Sequence, residues 1–273
     1  MPEATYIRKN RTLIRSLEQK VYFSAAVEAY NQELSAIKTS LVAIGVTDEE
    51  AQRQSEREIL SHLHDVMRAA QPLVEELINS RIASGAITNA DQARKSAAGN
   101  IFQQLFAYSL AKNVLNGNIA SHVIVSTSVA SIIDQYAAIA VGDDIQKPDS
   151  DVIVYSDEQE GSPIVNFSCK TSCRERAGQT YKWKLLCDLA TCRCEHKNEN
   201  ENCPATKYQL VYTPVRDIKM CFVTTDFYDE LNNPQISAMF NFFDHSYVAK
   251  NVSPANNISI LKNVTEDIDT IFQ

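Results

Sequence analysis

Two apolar runs, Val152-Ile-Val-Tyr155 and Ile164-Val-Asn-Phe167, flank the polar segment Asp157-Glu-Gln-Glu-Gly-Ser-Pro163. Short runs of β-branched and aromatic residues favour pleated strands, and the turn formers between them predict a hairpin. The charged residues at its open end constrain the chain further. Pro148-Asp149-Ser150-Asp151 opens the first strand, and Ser168-Cys169-Lys170 closes the second. A turn centred near Glu160 sets Lys170 opposite Ser150, between the two aspartates. Two carboxylates and an ammonium then meet at one end of a sheet, a layout that can hold a divalent cation beside a phosphodiester. Strand alternation puts Ser168 and Lys170 on one face and turns Cys169 to the other. The plainer alternative is a pair of turn-forming aspartates and a solvated strand-end lysine.

The chain has 273 residues, enough for one large domain or two modest ones with a real core. A hydrophobic content of 44% with 22% charged residues excludes fibrous and disordered classes. The opening Met1-Pro-Glu-Ala-Thr-Tyr-Ile-Arg-Lys lacks the apolar centre of a signal peptide, and no apolar run suffices for a bilayer. A cytoplasmic protein with no membrane partner is expected. A net charge of −8 disfavours a general nucleic-acid coat, yet charge is unevenly spread. Between Ser168 and Lys197 seven cations (Lys170, Arg174, Arg176, Lys182, Lys184, Arg193, Lys197) face three carboxylates (Glu175, Asp188, Glu195). Basic charge gathered beside the hairpin suits a polyanion held at one place; a solvated charge run is the ordinary alternative.

Cysteines of a cytosolic chain are expected to be reduced thiols. Cys187, Cys192, Cys194 and Cys203 crowd together with His196 between them. Thiolates and imidazole are zinc's preferred ligands, which makes Cys192, Cys194, His196 and Cys203 a candidate structural Zn²⁺ set. The spacing lacks the usual paired two-residue knuckles, so unligated cysteine is the competing reading, with Cys187 buried on a helix. His62 and His64, two apart on a helix, are expected to face solvent.

The first half reads as helical. Thr47-Asp-Glu-Glu50 forms a capping box, followed by Ile59, Leu60, Leu63, Val66 and Met67 at helical spacing. Pro72 should kink or interrupt this segment. A cap at Thr88 or Asn89 opens a helix to Leu115, which Asn116-Gly117-Asn118 ends. A helix over Val129–Ala140 is expected, then the hairpin, then a helix over Gly178–Leu189 with Tyr181, Leu185, Leu186 and Leu189 inward. Tyr208–Tyr212 and Met220–Thr224 resemble further strands, Pro234 can start a helix, and the tail from Asn251 carries only a weak signal. Helices followed by a mixed sheet flanked by helices make an α/β protein.

Pro148-Asp149, a strand, a turn and Cys169-Lys170 resemble the core of the PD-(D/E)XK nuclease superfamily. The continuation Lys170-Thr-Ser-Cys-Arg174-Glu175-Arg176 is similar to the type II restriction endonucleases that read CCGG or CCNGG. That resemblance implies Mg²⁺ held by Asp149 and Asp151, with Lys170 and Ser168 completing the catalytic set. It implies Arg174 and Arg176 on guanines and Glu175 on a cytosine amino group, pairings that base-edge chemistry favours. Gln179 and Lys182 would assist on the DNA. Expected partners are double-stranded DNA and a second copy of the chain, as a homodimer or larger homo-oligomer on a short palindrome. Residues 1–87 are read as a helical dimerisation or DNA-clasping region, and 88–273 as the catalytic and recognition domain. Ser168 departs from the family, which has Glu or Asp there. Candidate substitutes for the missing acid are Asp188, Glu75 and Glu76; Gln103 and Gln104 fill a position where relatives often have Glu. The competing functions are a non-catalytic DNA-binding protein on a decayed nuclease fold and a zinc-stabilised interaction domain.

Overall fold

The computed structural model describes residues 3–120, 122–136, 138–158, 161–192, 203–212, 216–227, 229–251 and 257–273, with side chains at 129, 136, 174–179, 212 and 235 excepted. Helices α1 (Thr5–Glu18), α2 (Val21–Ala43), α3 (Asp48–Glu58), α4 (Leu63–Ala83) and α5 (Ala90–Leu115) come first. Both predicted N-cap side chains bond the helix, but the return half of the box at Thr47 does not form, because the Glu50 carboxylate pairs with Gln54 and Arg53. Thr47 Oγ1 accepts the Glu50 N–H at 3.4 Å, and Asn89 Oδ1 accepts the Gln92 N–H at 3.0 Å. Each satisfies a first-turn donor that has no partner within the helix. Gly117, at φ +74°, takes the left-handed position that ends α5.

Pro72 does not interrupt its helix; α4 runs through it. Pro72 and Arg68, the residue whose carbonyl loses its partner to the proline ring, both lie on the exposed side, where water can satisfy that oxygen. The break falls earlier, in a 3-10 turn over Ile59–His62.

The second half supplies β1 (Val123–Ser126), α6 (Val129–Tyr136), β2 (Ile139–Val141), β3 (Asp144–Gln146), β4 (Val152–Ser156), β5 (Ile164–Lys170) and α7 (Arg174–Ala190). Then come α8 (Pro204–Lys207), β6 (Leu210–Tyr212), β7 (Ile218–Thr224), α9 (Pro234–Ser237), β8 (His245–Val248), β9 (Ser259–Ile260) and α10 (Val264–Phe272). The helix expected over Val129–Ala140 stops at Tyr136, and Ile139 onward is strand. Helix α7 begins four residues before the expected Gly178, and Leu185 on it is exposed rather than inward.

Six strands form one mixed sheet in the order β1-β4-β5-β7-β8-β9. β4 runs antiparallel to both its neighbours, β1 and β5, whereas β5, β7, β8 and β9 run parallel. A separate three-stranded ribbon, β3-β2-β6, includes the strand expected over Tyr208–Tyr212. This is the expected α/β architecture, a mixed central sheet flanked by helices with helices leading. β4 and β5 are buried along their whole lengths, consistent with their near-continuous apolar runs. On one face Val152, Val154, Val165, Phe167, Cys169 and Val223 join a core with residues of α1, α2, α4, α5 and α10. On the other, Phe222 and Val248 pack with Cys173, Phe240 and Phe243, while Ile153 and Ile164 pack with Ile133 of α6.

The hairpin forms, one residue out of the expected register. Val152 pairs with Phe167 and Val154 with Val165. Continued to the open end, that register sets Asp149, not Ser150, against Lys170. The physical reason lies at the open end itself: Asp151 N–H donates to Phe167 O at 3.0 Å and Asn166 Nδ2 to Asp149 O at 3.3 Å, bonds that hold this offset whatever the centre of the turn.

Candidate active site

The open end of the hairpin brings three of the predicted residues together. Lys170 Nζ donates to Asp149 Oδ2 at 2.9 Å and to Asp151 Oδ2 at 2.8 Å. Asp151 Oδ2 also accepts the Cys169 backbone N–H at 2.8 Å, which fixes the carboxylate against β5. The lysine is buried, with 7% of its side chain exposed, whereas Asp149 keeps 37% and Asp151 21%. Charge-assisted bonds of this length are the strong ones, and the acids retain contact with water.

Burial works against the Lys170 ammonium, but the Asp151 and Asp149 carboxylates outweigh it and hold the group above the ordinary lysine value of 10.5. The lysine is therefore a fixed cation at neutral pH. A raised pKa contributes stability that is fully present below the ordinary value and lost only as pH climbs past it through the raised one. We expect a pH–rate profile with no falling limb from Lys170 up to about pH 10. A limb near pH 8 that disappears in Lys170→Arg would contradict this placement.

Two acid oxygens, Asp149 Oδ1 and Asp151 Oδ1, hold no hydrogen bond to the described residues. Hard carboxylate oxygens beside solvent suit Mg²⁺, which keeps several waters and needs only one or two protein acids. Among the described residues no group of three His, Cys, Asp or Glu is arranged to hold a metal. The candidates for a further acid lie elsewhere. Asp188 pairs with Lys184, which also reaches Asp244 beside the start of β7, away from the strand ends that carry Lys170. Glu75 is held by Arg94. Gln103 is the residue that α5 does bring to the site, donating from Nε2 to the Asp151 carbonyl at 2.5 Å.

Ser168 is fully buried, and its hydroxyl bonds Thr180 Oγ1 of α7 at 3.1 Å. That face of β5 is covered by α7, so this hydroxyl ties strand to helix. Cys169 turns to the opposite core, as alternation requires; burial first, then the nearby Asp151 charge, push its thiol far above the ordinary range, so it is no nucleophile. Lys182 is exposed on α7, and Trp183 packs half-buried among Cys187, Met220 and Leu210. The side chains of Arg174, Glu175, Arg176 and Gln179 lie outside the described residues, as do Cys194 and His196 of the zinc set. Cys192 and Cys203 are half-buried and Cys187 is buried on α7.

The two helical histidines are not solvent residues. His64 Nδ1 lies 2.9 Å from Thr225 O, its ring packs against Phe227 at 5.0 Å, and its backbone N–H donates to Ala249 O. His62 pairs with Glu33 at 2.9 Å. Spacing along one helix carried no information about these partners, which arrive from the ends of β7 and β8 and from α2.

A sheet whose strand ends join two acids to a buried lysine has a layout that can hold a divalent cation beside a phosphodiester, and the comparisons give the class. The family model described as BsaWI restriction endonuclease type 2 matches residues 129–271, and the chain belongs to that family. It is accordingly a type II site-specific deoxyribonuclease, which decides against the non-catalytic alternative. Two solved structures are similar over most of the chain. The restriction endonuclease PspGI–substrate DNA complex has a TM-score of 0.46 at 14% identity, covering 89% of this chain and 92% of that one. The pre-specific BsaWI–DNA complex has a TM-score of 0.40 at 12% identity, covering 92% and 93%. Among curated proteins none matches. No helix of the described residues is long and apolar enough to cross a membrane.

Proposed function

We propose that this deoxyribonuclease cuts both strands of a short palindromic, GC-centred DNA site of the CCGG type, with Mg²⁺ held by Asp149 and Asp151. The observation that carries the reading is the Lys170 ammonium bonded to both acids at 2.9 and 2.8 Å. Mg²⁺ held there would supply Lewis-acid polarisation of a phosphoryl oxygen and a lowered pKa for a bound water. The chain's own contribution is positional and electrostatic. Cys169 N–H and Gln103 fix Asp151 at its carboxylate and its carbonyl. Lys170 keeps a proton at Nζ and offsets the negative charge that builds on the phosphoryl group. Ser168 acts through Thr180, aligning β5 with α7.

Arg174 and Arg176 are assigned to guanines and Glu175 to a cytosine amino group, at the start of the helix that follows Lys170 directly. Gln179 and Lys182 are assigned to backbone phosphates. A palindromic site calls for a twofold pair of chains. Residues 1–87 are assigned to dimer formation or to clasping the duplex; Val21, Ile44 and Leu73 there are exposed apolar side chains. The division at residue 88 is functional, because one core spans both segments.

Digesting a fully sequenced DNA with Mg²⁺ and mapping the ends tests this. Discrete fragments with a common GC-rich site and 5′-phosphate ends are expected, and chelating the metal should stop the reaction. Unselective degradation, or cutting that persists under chelation, would refute it. Arg174→Ala and Arg176→Ala should each cost about 1–3 kcal/mol per lost guanine contact and relax site preference. Cleavage rates on duplexes carrying single-base changes provide the measurement.

A further inference from the structure

A second polar network joins the ends of β7 and β8 to the start of α7. It is built on Thr225, Asp226, Phe227, Asp229 and Glu230, after β7. Asp226 and Glu230 are 3% and 6% exposed. Asp226 N–H donates to Thr224 Oγ1 at 2.9 Å, and Asp226 Oδ1 accepts the Glu230 N–H at 2.6 Å. Lys250, just past β8, donates to Asp226 O at 2.6 Å and to Asp229 Oδ1 at 2.7 Å. Asp226 and Asp229 stand at φ +49° and +53°, a left-handed backbone that aspartate tolerates better than most residues but still at a cost.

Glu230 is what the loop delivers. Its Oε2 accepts the backbone N–H of Cys173 at 2.8 Å. Cys173 is the N-cap residue of α7, and its side chain makes no capping bond. The same loop grips the turn before the helix: Phe227 N–H donates to Thr171 O at 3.1 Å, and Thr225 Oγ1 to the same oxygen at 3.3 Å. One loop thus holds both Thr171 and Cys173, the residues on either side of the turn from Lys170 to Arg174. Buried carboxylates are costly to keep, and their stabilising value over well-packed apolar residues is small. Their use here is geometric.

We propose that Glu230 is a positioning residue for sequence discrimination: it fixes the backbone at the start of α7 so that Arg174–Arg176 keep a constant offset from Lys170. The inference rests on the assignment of those residues to base reading. An enzyme that cuts at a fixed place relative to the sequence it reads needs that offset held closely, because small misplacements lose rate disproportionately.

The test uses the full chain, Mg²⁺, duplexes carrying the mapped site, and duplexes with each single-base change. Glu230→Ala should reduce the preference for the mapped site over its variants by roughly tenfold or more, a loss comparable to one base contact. Glu230→Gln, which can still accept the Cys173 N–H, should keep that preference within about threefold. All rates are taken well below each variant's melting temperature. A merely structural residue would lower melting temperature and slow every duplex in proportion, and unchanged preference in Glu230→Ala would overturn the proposal. Arg174→Ala and Arg176→Ala run alongside. If they relax preference and Glu230→Ala does not, only the positioning role falls; if neither arginine matters, the base-reading assignment falls and takes this inference with it. Should Glu230→Ala not fold, Glu230→Asp, one methylene short of the N–H, replaces it under the same criteria.

Discussion

Lys170→Ala should leave plasmid DNA uncut in Mg²⁺ under conditions where the native chain yields discrete fragments. The expected loss in cleavage rate is at least roughly 10²–10³-fold, the usual cost of deleting one preorganised group that stabilises developing charge. The reason is specific to this geometry. Lys170 is the buried cation bonded to both Asp149 and Asp151, so its removal also leaves two carboxylates facing each other without compensation. The stability cost should be below the roughly 3–5 kcal/mol of a fully buried broken pair, because both acids still reach water. A circular-dichroism melt separates the two effects: a folded, inactive variant is the expected result. Fragments at the native rate would remove this cluster from the chemistry.

Phe106→Ala should produce the largest stability change. Phe106 of α5 and Phe167 of β5 are fully buried and meet edge to face, with ring centroids 5.0 Å apart at 74°. Truncating a buried phenylalanine costs roughly 3–5 kcal/mol through lost transfer energy and the cavity left behind. For a chain of this size each kcal/mol lowers the melting temperature by about 2–4 °C, so a fall of about 6–20 °C follows. Cleavage should weaken even below the melt, because Gln103 sits one helical turn away on the same helix and holds the Asp151 carbonyl. A denaturant midpoint equivalent to under about 1 kcal/mol would show that this face collapses to fill the void.

The active strands were legible because their signals are local. β-branched runs, a proline–aspartate opening and a strand-end lysine are properties of a few adjacent residues, and the register error of one arose because backbone bonds such as Asp151 N–H to Phe167 O hold the offset, and side-chain types do not report them. Caps at Thr47 and Asn89 were legible for the same reason. Pro72 left a kink or a break open, and the helix continues through it with Pro72 and Arg68 on the side that water reaches. β8, β9 and α10 gave little signal, being short or seated by long-range contacts such as Tyr247 Oη with Asp267 at 2.7 Å. Glu230 was invisible for a further reason. Its partner, the Cys173 N–H, is a backbone group, and no side-chain pattern announces a backbone donor 57 positions away.

The bonds at the open end of the hairpin have a practical corollary. Asp151 N–H to Phe167 O, Asn166 to Asp149 O, and Lys170 to both carboxylates tie that end directly, at the opposite end of the strands from the connecting loop. Asp157, Glu158 and Gly161 are exposed there. That tip is a natural splice point: a peptide tag or fluorescent reporter inserted between Asp157 and Gly161 would ride on the enzyme while the distances that matter for cutting stay as they are.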